Sequence, residues 1–138
     1  PSAIQIGKGI ELMDGKDVAI IACGVLVSES LKAAEMLQKE GIHATVVDMH
    51  TLKPLDGKLI EALVQRCGAL VTAEDHNVIG GLGSAVAEYL VSNTMAPLEM
   101  VGVKDRFGES GQADEMLDLM EISSEFIAKA AKRALSRK

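Results

Sequence analysis

Strand-like and helix-like segments alternate along this chain, and that alternation narrows the possible folds more than any other feature. Val18 to Cys23 is an unbroken apolar run rich in β-branched residues, the pattern of a strand covered on both faces. It stops at Gly24, after which Ser28 is placed to cap a helix running to Glu40 and closed by Gly41. Ala44 to Asp48 reads as the next strand. Pro54 and Asp56 mark a turn and a helix start, and Leu59, Ile60, Leu63, Val64 and Cys67 then share one helical face. Ala69 to Glu74 is a third strand; Leu82, Ala85, Val86, Tyr89 and Leu90 form another helical stripe. Leu98 to Val103 is a fourth strand, and Ile127, Ala130, Ala131, Ala134 and Leu135 give a terminal helix. Such an order implies right-handed crossovers and a mostly parallel sheet with helices on both faces. Ile10 to Met13 stays open at this level. Asp14-Gly15 can turn it back on Val18 to Cys23 as a hairpin, or it is an edge strand elsewhere in the sheet.

Composition excludes several function classes. The 138 residues amount to one domain, and a hydrophobic fraction of 48% is too high for a disordered chain. The longest apolar run, Val18 to Val27, falls far short of the roughly 20 residues that span a bilayer, so no membrane partner is expected. Acidic residues number 20 against 14 basic ones, a net charge of −6, which disfavours binding to a phosphate backbone. There is no Trp, and Tyr89, Phe107 and Phe126 are the only aromatics, so no stacking platform exists for bases and no nucleic-acid partner is expected. Lys129, Lys132, Arg133, Arg137 and Lys138 are read as a basic turn complementing the terminal helix dipole. Cys23 and Cys67 lie in apolar stretches without a Cys-x-x-Cys spacing, which points away from metal or disulfides and towards a reducing cytoplasm. The chain opens on Pro1 without a signal-peptide pattern, as expected of a piece of a longer polypeptide.

In open parallel sheets, ligands bind beyond the carboxyl ends of the strands. Three strand ends project there: Cys23-Gly24, Asp48-Met49-His50 and Glu74-Asp75-His76. The third leads into Gly80, Gly81, Leu82 and Gly83 at a helix start. Gly81-x-Gly83-x-x-Val86 resembles a dinucleotide fingerprint, but Val86 stands where the third glycine would let helix and strand pack closely. The simpler reading is that these glycines let the helix start pack against a neighbouring domain; anion binding by the bare backbone N–H groups is the alternative. Glu74-Asp75-His76 sets two carboxylates beside an imidazole, a combination able to carry protons, yet no nucleophile accompanies it. A hydrogen-bonded corner fixing a loop or an interface is the simpler reading. His43 is expected on the surface, and His50 is a weaker candidate beside the same crevice. Met36, Met116 and Met120 fall at core spacing. Phe107-Gly108-Glu109-Ser110-Gly111 is either a turn towards a short helix around Met116 or an exposed aromatic and carboxylate for a partner, next to the polar Lys104-Asp105-Arg106.

These stretches, with His50-Thr51-Leu52-Lys53-Pro54-Leu55-Asp56, resemble the C-terminal domain of transketolase, especially the C-terminal subunit of transketolases encoded as two polypeptides. The likeness runs from about Gly7 to about Gly111 in four blocks, Asp17 to Gly24, Val47 to Asp56, Val71 to Glu88 and Val101 to Gly111. The blocks are specific for the C-terminal domains of thiamine-diphosphate enzymes, and the Glu74 to Gly81 and Phe107 to Gly111 blocks favour transketolase. Deoxyxylulose-phosphate synthase and the 2-oxo-acid dehydrogenase beta subunits are the related alternatives; a nucleotide-binding regulatory module is an unrelated one. After Gly111 the likeness weakens. Where the family tends to have Tyr-Gly-Leu-Thr, this chain has Met120-Glu121-Ile122-Ser123 and keeps only the Ser123 cap.

The resemblance implies a single domain over residues 1–138, with 1–9 a linker from a preceding pyrimidine-binding domain. It implies a three-layer α/β/α sandwich around a five-stranded mostly parallel sheet, with Ile10 to Met13 as an antiparallel edge strand beside Ala44 to Asp48. The whole enzyme is then expected to move a two-carbon ketol unit between sugar phosphates in the pentose phosphate pathway, using thiamine diphosphate and a divalent ion, usually Mg2+. Relatives anchor these with Gly-Asp-Gly and a distant Asn-Asn, and neither string occurs here. This chain is therefore expected to hold no cofactor, metal or catalytic residue of its own and to be inactive alone. Its expected partner is the N-terminal subunit with the pyrimidine-binding domain, in a dimer. Glu74, Asp75, His76, Gly80, Gly81, Gly83, Phe107 and Glu109 are the expected interface or anion-contact residues.

Overall fold

The computed structural model describes residues 7–50, 54–77, 80–103 and 122–138. In chain order the elements are β1 (Ile10–Met13), β2 (Val18–Ala22), α1 (Leu26–Gln38), β3 (Ala44–Asp48), α2 (Gly57–Cys67), β4 (Leu70–Asn77), α3 (Leu82–Asn93), β5 (Leu98–Val103) and α4 (Ser124–Ser136). The five strands form one sheet in the order β1-β3-β2-β4-β5. Pairings among β2, β3, β4 and β5 are parallel, and β1 runs antiparallel to β3 with Ile10 opposite Asp48. The hairpin reading of Ile10 to Met13 is thus excluded, and the edge-strand expectation holds.

Alternation along β2 explains its unbroken apolar run. Val18, Ile20 and Ala22 face one core with α1 and α4, while Ala19 and Ile21 face a second core with α2 and α3. Both faces exclude water, so the strand has no polar side. Leu26, Ala33, Ala34 and Leu37 of α1 meet Ile127, Ala130, Ala131 and Ala134 of α4 on the first face. Ile60 and Leu63 of α2 and Leu82, Val86 and Leu90 of α3 fill the second.

Several boundaries differ from the sequence reading. Helix α1 begins at Leu26, because Gly24 at φ +63° turns the chain straight into the helix. Ser28 is not its cap but lies inside the first turn, its hydroxyl donating to the Val25 carbonyl at 3.2 Å. The helix ends at Gln38, and Gly41 at φ +79° closes it with Ile42 N–H donating to the Leu37 carbonyl at 3.0 Å. Met36 is 37% exposed and outside the core. Asp56 caps α2 as expected, accepting from Leu59 N–H at 3.2 Å, and also accepts from Gly9 N–H at 2.9 Å. The residues of the expected linker up to Ile6, the Lys104 to Gly111 stretch and the turn around Met116 and Met120 lie outside the described residues.

The cap of α4 is also different. Ser123 occupies the cap position, but its hydroxyl makes no cap bond. The carboxylate of Glu29, on α1, instead accepts from Ser124 N–H at 2.9 Å and pairs with Lys32 at 3.1 Å. Glu29 is buried, so this cross-helix cap ties the last helix to the first. The basic residues of α4 meet carboxylates and a carbonyl: Lys132 with Glu40 at 2.7 Å, Arg133 and Arg137 with Glu99, and Lys138 with the Asp17 carbonyl. We expect Glu29→Ala to cost about 1–3 kcal/mol by urea denaturation, followed by circular dichroism because the chain has no Trp. Glu29→Gln, which retains the accepting oxygen, should lose less.

Candidate functional site

The connections place a crevice at the carboxyl ends of β2 and β4. From β2 the chain passes through α1 to β3 on one side, while from β4 it passes through α3 to β5 on the other. The two helices leave on opposite faces and part above these strand ends. Main-chain bonds hold the corner: Cys23 N–H donates to the Ala73 carbonyl at 3.2 Å, and Met49 N–H donates to the Ala22 carbonyl at 2.8 Å.

Strand β4 does not end at Glu74 as its apolar run implied. It continues to Asn77 through an irregularity, with Ala73 opposite Val101 and Asn77 opposite Val103. Glu74, Asp75 and His76 therefore stand against the single residue Gly102 of β5. Glu74 follows Leu70 and Thr72 in the alternation of the strand, on the face that α3 covers. The fully buried Glu74 carboxylate reaches the start of α3, accepting from Leu82 N–H at 2.8 Å and Gly83 N–H at 2.7 Å. Gly81, the cap residue of α3, makes no side-chain cap bond. Glu74 supplies the acceptor that this helix start would otherwise lack.

Gly83 makes the approach possible. A Cβ there would lie 2.9 Å from Met100 Cε and 3.0 Å from Thr72 Oγ1, so a side chain would lift the helix from β4 and β5. The close approach at Gly83 is made to this chain's own sheet. Gly80, at φ +82°, turns the chain before the helix, and its N–H donates to Ser84 Oγ at 3.0 Å. Val86 is completely buried in the second core, so the fingerprint's third glycine position is filled by packing.

Asp75 is exposed and leans over the β2 corner, where a Cβ on Gly24 would lie 3.3 Å from Asp75 Oδ1. Cys23, expected in apolar surroundings, is half-buried against the second core on one side and faces carboxylates on the other. Burial, then Glu74, Asp75 and Asp48, push its thiol up from 9.0 to about 11. Asp48 was visible as a strand end, but its effect on Cys23 depends on the pairing of β2 with β3 and could not be read from spacing. His50 is half-buried at the end of β3, and His43 is exposed. His76 belongs to β4, while Phe107 and Glu109 lie outside the described residues. The described residues hold no group of three or more His, Cys, Asp or Glu side chains arranged for a metal.

A diphosphate does not fit the described crevice. Glu74 already engages the Leu82 and Gly83 amides, and the carboxylates around Cys23 give the opening the wrong sign. Glu74→Ala would leave two amides unpaired, and we expect it to cost about 2–4 kcal/mol in urea denaturation; Glu74→Gln, which turns an N–H2 towards an amide donor, should lose part of that. Cys23 gives a pH prediction. Between 9.0 and about 11 the unfolded chain has lost a thiol proton that the folded chain keeps, so stability falls as pH rises through this window. Cys23→Ala should flatten that fall in melting curves recorded from pH 8 upwards.

The chain matches the family described as "Transketolase, C-terminal domain" over residues 7–127, beyond Gly111 and into α4. It is 44% identical over 133 residues to a 6-deoxy-6-sulfo-D-fructose transketolase subunit of Clostridium sp. (strain MSTE9), covering 96% of this chain and 41% of that protein. It is 41% identical over 133 residues to a 1-deoxy-D-xylulose-5-phosphate synthase of Aquifex aeolicus (strain VF5), covering 96% of this chain and 21% of that protein. Among solved structures, an inactive β4 tetramer of a split-gene transketolase superposes with a TM-score of 0.93 at 45% identity, covering 96% of this chain and 44% of that one. The chain thus spans less than half the length of each of these relatives.

Proposed function

This chain belongs to the transketolase C-terminal domain family, and from that premise we propose that it is the C-terminal structural and assembly domain of a transketolase-type enzyme. The whole enzyme would transfer a two-carbon ketol unit between sugar phosphates. Thiamine diphosphate and its divalent ion would be bound by other domains, with an N-terminal subunit carrying the pyrimidine-binding domain as partner. The observation that carries this reading is the Glu74 carboxylate on the α3 amides. A feature that resembles an anion site in sequence is satisfied within the chain, so the crevice contributes shape and charge to a neighbour.

Deoxyxylulose-phosphate synthase is the second reading, supported by 41% identity to the Aquifex protein across the same span. The nucleotide-binding alternative loses its motive, because Val86 and Glu74 occupy what the fingerprint needs open. Self-association forms part of the proposal, since the split-gene relative of highest similarity above is itself a β4 tetramer. Among the described residues no helix is long and apolar enough to cross a membrane. The free thiols of Cys23 and Cys67 suit the reducing cytoplasm we propose for it.

Titrating the chain with thiamine diphosphate and Mg2+ should give no saturable heat. Mixing it with an N-terminal section that carries Gly-Asp-Gly and Asn-Asn should produce ketol transfer, whereas conversion of pentose phosphates by the chain alone would overturn the reading. Supplying pyruvate in place of the ketose donor, with glyceraldehyde phosphate as acceptor, separates the synthase alternative, which would release CO2 as it joins the two. His76→Ala should leave the chain's melting temperature within about 2 °C of wild type. In the reassembled enzyme the same change should weaken subunit association or raise KM.

A further inference from the structure

Of the five described strands, β1 alone has no buried residue. From Gly7 to Leu12 every residue is half-buried or exposed, whereas β2 is buried throughout and β3 everywhere but at Asp48. Apolar burial therefore does little to hold this segment on the β3 edge, and main-chain pairing with a few polar contacts must hold it instead. The pairing is itself interrupted. Ile10 lies opposite Asp48 and Glu11 opposite Val47, but Met13 lies opposite Val46, so Leu12 is an extra residue in the ladder.

This bulge separates a fixed part of the segment from a looser one. Beyond it, Met13 packs on the first core and Gly15 is clamped. Gly15 N–H donates to Thr45 Oγ1 at 2.9 Å, the Thr45 hydroxyl donates to the Gly15 carbonyl at 2.6 Å, and the Cys67 thiol donates to the same carbonyl at 3.4 Å. A Cβ on Gly15 would lie 2.5 Å from the His43 carbonyl carbon, so the clamp has no room to shift. Before the bulge, the described side-chain hydrogen bonds come from the two ends of α2. Asp56, its cap, accepts from Gly9 N–H, and Arg66, in its last turn, pairs with Glu11. Arg66 also pairs with Asp14 at 3.3 Å, so one guanidinium spans the bulge and joins the looser part to the fixed part.

We propose that Gly7 to Leu12 form a strap that swings out about the bulge while the four parallel strands stay folded, with the Arg66 guanidinium as its electrostatic latch. Opening leaves the cap of α2 intact, because Asp56 still accepts from Leu59 N–H. It removes the outer partner of β3 at Asp48, a corner of the crevice, and lets Gly7 move by up to about 20 Å, the extended length of the strap. The strap thus couples the course of the chain at Gly7 to the support of the crevice corner. Arg66 and Glu11 are 31% and 36% exposed, so salt reaches the latch and weakens it.

Native-state hydrogen exchange of the full chain, read by mass spectrometry at about 0.01 M and about 1 M NaCl, tests the device; the Debye length falls from about 30 Å to about 3 Å between them. In wild type the Gly7 to Leu12 amides should exchange about tenfold or more faster than those of β2 and β4, and about tenfold or more slower than a free peptide. Salt should speed the strap about threefold and leave β2 and β4 nearly unchanged. Arg66→Met keeps the aliphatic stem; it should bring the strap in low salt to the wild-type rate in high salt and abolish the salt response. Strap amides that exchange together with β2 and β4 overturn the proposal, since opening would then require the whole sheet to unfold. Amides that exchange like a free peptide overturn it too, since no closed strap would exist. A salt response that persists in Arg66→Met overturns the latch. The wild-type rates decide the strap by themselves if that variant fails to fold.

Discussion

The contact between Glu74 and the first turn of α3 sets the geometry of the carboxyl edge. Removing a carboxylate from water costs several kcal/mol even after relaxation. Two N–H bonds to a charged acceptor offset about 1.5–3 kcal/mol each, and a favourably placed helix terminus adds up to about 2. These terms nearly cancel, so the contact contributes geometry more than net stability. The geometry is demanding: the alternation of β4 turns the side chain towards α3, Gly83 lets the helix come down on it, and Val86 fills the core beside it.

One consequence is electrostatic. With Glu74 turned under α3, the described groups around Cys23 are Asp75 and Asp48, and its thiol is held protonated well above neutral pH. Carboxylates placed this way disfavour an anion beside the thiol and favour a cationic side chain there. The same argument accounts for the glycine-rich helix start. It has the form of a phosphate loop, but its amides are directed inward to a carboxylate of the same chain.

The fold was largely legible because its strongest signals are local. The two-sided burial of β2 is written in Val18 to Ala22, and the helical stripes of α2 and α3 match the second core except at Ala85. Ile10 to Met13 was different. Its own residues allow a hairpin as readily as an edge strand, and only the family likeness chose its partner correctly. Caps failed where the acceptor comes from far along the chain. Ser28 and Ser123 are good local caps, but Gly24 begins α1 early, and Glu29, 95 residues away, takes the Ser124 amide. The site residues show the same limit. Glu74 and the glycines were conspicuous, yet their mutual contact depends on where α3 comes down over β4, which spacing does not encode.

The two edges of the sheet therefore carry different tasks. At the carboxyl edge Asp56 ties Gly9 to α2, and Glu74 fixes the start of α3 beside the crevice. At the other edge α4 ends in a lattice of bonds to Glu99, Leu98 and Asp17 that immobilises its last turn beside α3. Immobilising that turn holds Arg137 against the Leu98 carbonyl at the start of β5, which a frayed terminus could not do. The two edges are thus built on the same device: a partly or fully buried carboxylate, Glu74 at one and Glu99 at the other, gathers the donors that fix a helix terminus.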